Sequence, residues 1–88
     1  MITTRAVCKI NRQGEAEIVY CDQDGGKNPL VYYAHIGQHS SGGYDYFRTL
    51  RPAKMPEEVA KCDALIQEYR HICAIGGEEL RIMKRLAR

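Results

Sequence analysis

Residues 2–20 constrain the fold more than any other stretch, because their pairing is determined in two independent ways. Ile2, Thr4, Ala6, Cys8 and Ile10 alternate with Thr3, Arg5, Val7 and Lys9, the two-residue period of a half-buried strand. Asn11-Arg12-Gln13-Gly14 then supplies Asn at the first turn position and Gly where a three-residue hairpin loop needs a left-handed residue. This turn sets Asn11 against Glu15. Ile10 then faces Ala16, Cys8 faces Ile18 and Ala6 faces Tyr20 on an inner side. On the outer side Lys9 faces Glu17, an opposite-charge pair, and Val7 faces Val19. A sheet begun in this way needs a cover, which the rest of the chain must supply.

Residues 56–75 are suited to be that cover. Pro56-Glu57-Glu58 places proline in a first helical turn, with two carboxylates at the positive end of the dipole. Val59, Cys62, Ile66, Tyr69 and Cys73 follow at helical spacing, flanked by Leu65 and Ile72, and Gly76-Gly77 ends the pattern. Between hairpin and helix, residues 22–29 have loop composition. Residues 30–36 form a third strand with Leu30, Tyr32, Ala34 and Ile36 on one face and Val31, Tyr33 and His35 on the other. In residues 80–86 the alternation favours a strand over a short helix. The expected fold is α+β: a two-layer sandwich of a mainly antiparallel sheet of three or four strands, with one long α-helix on one face, in the order β-β-β-loop-α-β. The 88 residues form a single domain, since a chain this short buries only about 60% of its unfolded surface. Residues 37–54 show no period and read as an irregular, functional segment.

With one helix on the inner side, the outer sheet face is left open. Val7, Val19, Val31 and Tyr33 would form an apolar patch there, and such a patch marks self-association, as in a homodimer, or a protein partner. The second candidate surface is Tyr44-Asp45-Tyr46-Phe47-Arg48-Thr49-Leu50-Arg51, which extends to Lys54. Tyr44, Tyr46, Phe47, Arg48 and Arg51, with Tyr33, His35 and His39 nearby, could anchor a protein, since Tyr and Arg dominate binding hot spots. The same aromatics and cations could instead stack bases and neutralise phosphates. A third reading has Tyr46, Phe47 and Leu50 simply closing one end of the core. The balance of thirteen Lys and Arg against eleven Asp and Glu, net +2, does not by itself mark a nucleic-acid binder.

Chemical motifs are incomplete. Gly37-Gln38-His39-Ser40-Ser41-Gly42-Gly43 lacks the Lys and Ser or Thr that a phosphate loop needs after its second glycine. His39, Ser40, Ser41 and Asp45 include the residue types of a hydrolytic triad without any spacing that orients them. His35 and His39 would lie roughly 13 Å apart along an extended strand, too far to share a metal. Asp22, Asp24 and Gly25 begin a calcium loop that Lys27 interrupts. No catalytic residue, metal ligand or cofactor is therefore assigned, and a small hydrolase or metal protein is the weakest class. Cys62 and Cys73 lie roughly 16 Å apart along one helix, and Cys8 and Cys21 fall on opposite sheet faces. Free thiols in a reducing cytoplasm follow, ahead of a cross-link between hairpin and helix. No apolar run approaches a membrane span, and the first residues lack a signal-peptide core.

The run Tyr32-Tyr33-Ala34-His35-Ile36-Gly37-Gln38-His39-Ser40, then Arg51-Pro52-Ala53 with Glu57-Glu58, then Leu80-Arg81-Ile82, resembles small accessory proteins encoded by bacteriophages and prophages. The resemblance implies a non-enzymatic protein in the bacterial cytoplasm that binds host machinery, including defence systems. A nucleic-acid-binding module using residues 44–54 is the alternative. The resemblance carries over no functional residue.

Overall fold

A computed structural model of the chain describes residues 2–24, 30–34 and 39–84. Its elements are β1 (Ile2–Ile10), β2 (Ala16–Asp24), β3 (Leu30–Ala34), β4 (His39–Gly42), α1 (Tyr44–Phe47), α2 (Pro56–Ile75) and β5 (Glu78–Ile82). The strands form one five-stranded sheet in the order β4-β3-β2-β1-β5, antiparallel except for β5, which lies parallel to β1. The fold is α+β, with α2 packed on one face of the sheet.

The hairpin has the register that its turn dictates. Ala6 pairs with Tyr20, Val7 with Val19, Cys8 with Ile18, Lys9 with Glu17 and Ile10 with Ala16. Asn11 N–H donates to the Glu15 carbonyl at 2.8 Å, and Gly14 takes φ 81°, a conformation that favours glycine. At the other end of α2, Gly77 takes φ 77° and turns the chain into β5.

Ala6, Ile10, Ala16, Ile18, Tyr20, Tyr33 and Leu80 bury against Cys62, Leu65, Tyr69 and Cys73 of α2. Three tyrosines make the centre of this layer. The Tyr69 ring stacks on Tyr20 at 5.6 Å and tilts over Tyr33 at 4.4 Å, and Tyr20 O–H donates to the Tyr69 hydroxyl. The buried stripe of α2 is centred on Cys62, Leu65 and Tyr69, so Val59 and Ile72, read as part of the apolar stripe, stand half exposed at its margins.

Three expectations need correction. Tyr33 faces α2, not the outer side, because Ile18 pairs with Tyr33 and Val19 with Tyr32, and paired residues share a face. Between Val19 and Asp24, β2 advances five residues while β3 advances two, so counting along the chain does not give the face of β3. Second, the described part of residues 37–54 is ordered: β4 pairs with β3, α1 follows, and Arg51 bridges Ile10. Third, the outer face is not open at the hairpin. Val7, Val19, Cys21 and Tyr32 form a second buried cluster under Phe47, Leu50 and Met83. Val7 and Val19 are 1% and 0% exposed, so they cannot serve as a self-association face. The side chain of Val31 lies outside the described residues.

A buried valine on a two-sided sheet does not tolerate a charge. Val19→Asp should lower unfolding free energy by about 3 kcal/mol or more, because an unpaired carboxylate is desolvated. An unchanged urea midpoint would show this face to be solvated.

Candidate functional site

The segment singled out by its aromatic and basic residues is fastened at three places, twice to the sheet and once to α2. At the first, the carboxyl group of Glu17, 5% exposed on the outer face, accepts from Asn11 Nδ2 at 2.8 Å and from the hydroxyl of Tyr46. Asn11 is held in turn by its own loop, since its Oδ1 accepts the backbone N–H groups of Gln13 and Glu15 at 3.0 and 2.9 Å. The Tyr46 ring meets Tyr32 edge-on at 5.3 Å. Gly42 permits this approach, as a Cβ there would come within 3.3 Å of the Tyr32 ring.

The second fastening is main chain. Ile10 N–H donates to the Arg51 carbonyl at 2.8 Å and Arg51 N–H to the Ile10 carbonyl at 2.9 Å, so Arg51 continues the sheet beside the end of β1. The third is the Arg51 guanidinium, which grips both carboxylate oxygens of Glu58 in the first turn of α2. Glu58 also accepts from the N–H groups of Lys54 and Met55 at 3.2 and 3.3 Å, the return half of a capping box. One carboxylate thus joins loop, helix start and sheet edge.

These contacts move two titrations. The Tyr46 hydroxyl is pushed up to about 12 by burial and by its hydrogen bond to Glu17. The Glu58 carboxyl falls to about 2, chiefly through the Arg51 hydrogen bonds and also through the Lys54 N–H. Between sheet and helix, the Cys8 thiol is pushed up by its hydrogen bond with Cys62 and by burial. All four cysteines are free.

The expected binding residues therefore do not converge on one surface. Tyr33 is buried under α2, where its hydroxyl donates to Glu68 Oε1 at 3.4 Å. Tyr46 and Phe47 turn their rings toward the sheet, and Arg51 is occupied by Glu58. Arg48 is exposed and pairs with Asp45 at 2.8 Å. His35 lies outside the described residues, as do the side chains of His39 and Tyr44; the backbone of His39 pairs with Tyr33. Among the described residues, no group of three or more His, Cys, Asp or Glu side chains comes together, and no helix is long and apolar enough to cross a membrane. Sequence reasoning missed Glu17, which opposes Lys9 as a surface pair would and is nevertheless buried. It placed Glu58 at the positive end of the helix dipole but missed its grip on Arg51 and its capping of the Lys54 and Met55 N–H groups, for which its place three residues after the helix cap was the available signal.

No protein-family model, curated protein or solved structure matched the chain.

Two outcomes follow. Tyr46→Phe leaves Glu17 with one fewer donor and should cost about 1 kcal/mol in urea unfolding. The depressed Glu58 titration stabilises the fold above the ordinary value of 4.5, and that stabilisation is lost as pH falls toward about 2. Acid titration of Glu58→Gln should lack this component, and an identical acid profile in variant and wild type would contradict the role of the Arg51 pair.

Proposed function

We propose that the chain is a non-enzymatic binding protein whose partner is another protein, and that it engages this partner at the end of the domain where α2 turns into β5. The carrying observation is the exposure of Ile75 and Ile2, at 76% and 69%. Ile2 pairs with Glu78, three residues after Ile75, so both lie at the same end, and Ile72 is half exposed one turn earlier on α2. Large aliphatic side chains left in water at one end of a small domain are the signature of an interaction surface.

The nucleic-acid alternative draws less support. Tyr46 and Phe47, the rings that would stack on bases, pack on the sheet, and Arg51 and Arg48 pair with carboxylates of the same chain. The resemblance to phage and prophage accessory proteins makes the partner a host protein, modulated or inhibited by binding. Four free thiols fit the reducing cytoplasm of a bacterial host.

The double variant Ile2→Glu, Ile75→Glu should keep its circular dichroism and melt within a few degrees of wild type, since neither side chain is packed. It should also abolish crosslinking of host protein to a photoreactive residue at position 72. Crosslinking that survives the double variant, or nucleic-acid binding that weakens steeply with salt, would overturn the reading.

A further inference from the structure

We infer that β5 is a self-complementary edge through which two copies of this chain pair antiparallel about Leu80, making one continuous sheet across both. This inference is independent of the surface proposed for a host protein.

β5 is the last strand of the sheet on its side. Met83 N–H donates to the Ala6 carbonyl at 2.7 Å, so the odd-numbered residues of this strand turn their peptide groups toward β1. Backbone directions alternate along a strand, and Glu78, Leu80 and Ile82 therefore present N–H and C=O away from the sheet. Among the described residues nothing lies along that edge. Beside it runs an open groove lined by Arg70 and Ala74 of α2 with Glu78, Glu79 and Leu80. An uncovered edge is a template for another strand.

The order of residues selects the occupant. In antiparallel pairing about Leu80, Leu80 meets the partner's Leu80, and Glu78 meets the partner's Ile82. These are the residues whose peptide groups point outward, so each such pair exchanges two backbone hydrogen bonds. The non-hydrogen-bonded positions between them bring Glu79 opposite the partner's Arg81, twice by symmetry, at the closer cross-strand spacing. Within one chain Arg81 stands beside Arg5, a like charge in register on β1. Glu79 and Arg81 are exposed, and among the described residues neither forms an ion pair. The partner's Glu79 sets an opposite charge across from Arg81 on the open side of the strand. On the α2 side, the partner's Leu80 and Ile82 extend the apolar row at the groove.

The test is a charge exchange read by sedimentation over a concentration series. Wild type should sediment at twice the 10.0 kDa of one chain. Glu79→Arg and Arg81→Glu each set like charges opposite one another at two places and should raise the dimer dissociation constant by about tenfold or more. The double variant Glu79→Arg, Arg81→Glu restores both pairs in reversed order and should recover dimerisation to within about threefold of wild type. All four proteins should melt within a few degrees of each other at concentrations where they are monomeric, because positions 79 and 81 are solvated in the single chain. A monomeric wild type at every concentration, a dimer indifferent to either single change, or a double variant no better than the singles would each overturn the proposal.

Discussion

The hairpin of β1 and β2 is apolar on both faces, and the chain has one long helix with which to cover them. α2 takes the face carrying Ala6, Ile10, Ile18 and Tyr20. Val7 and Val19 on the opposite face would remain in water unless another segment lay over them, and Phe47, Leu50 and Met83 do so. An apolar pair of this size costs several kcal/mol if left exposed, which is reason enough for residues 43–53 to be spent on burial. The rest of the structure answers to this division of cover between a long helix and a short strap built around one helical turn.

The strap lacks the length to hold itself by helical hydrogen bonds. α1 is a single turn, and helix nucleation is unfavourable over so few residues. Polar contacts at its two ends do the holding: Tyr46 on Glu17 in one direction, Arg51 on Ile10 and Glu58 in the other. Glu17 can be buried because Asn11 and Tyr46 both donate to it, and Asn11 is oriented by the same turn that sets the hairpin register. The turn thus does two jobs, pairing β1 with β2 and positioning the donor that lets a carboxyl group sit beneath the strap.

For function, this arrangement removes residues from the candidate surface and leaves others on it. Tyrosines and arginines are the side chains most often found at binding hot spots, and here most of those expected to bind are engaged in closing the fold. What remains available are the aliphatic side chains where α2 meets β5, and the edge of β5 itself. Both are consequences of a sheet whose last strand follows the helix directly through Gly76-Gly77 and is covered on its flank by nothing among the described residues.

The hairpin register, the span of α2 and the existence of a strand after it were legible in residues 2–20, 56–77 and 80–86, although that strand is Glu78–Ile82, Met83 and Lys84 lie beyond it, and residues 85–86 fall outside the described residues. All three depend on local periods and on turn and cap chemistry. The face of β3, the burial of Val7 and Val19 and the fates of Tyr46 and Arg51 were decided only by tertiary structure. Each depends on contacts between residues far apart in the chain. The pairing of Tyr33 with Ile18 rather than Val19 exchanges the two faces of β3, and no property of residues 30–34 taken alone distinguishes these registers. Glu17 shows the same limit from the other side. Its neighbours in sequence make it a surface residue, and Tyr46, twenty-nine residues away, makes it a buried one.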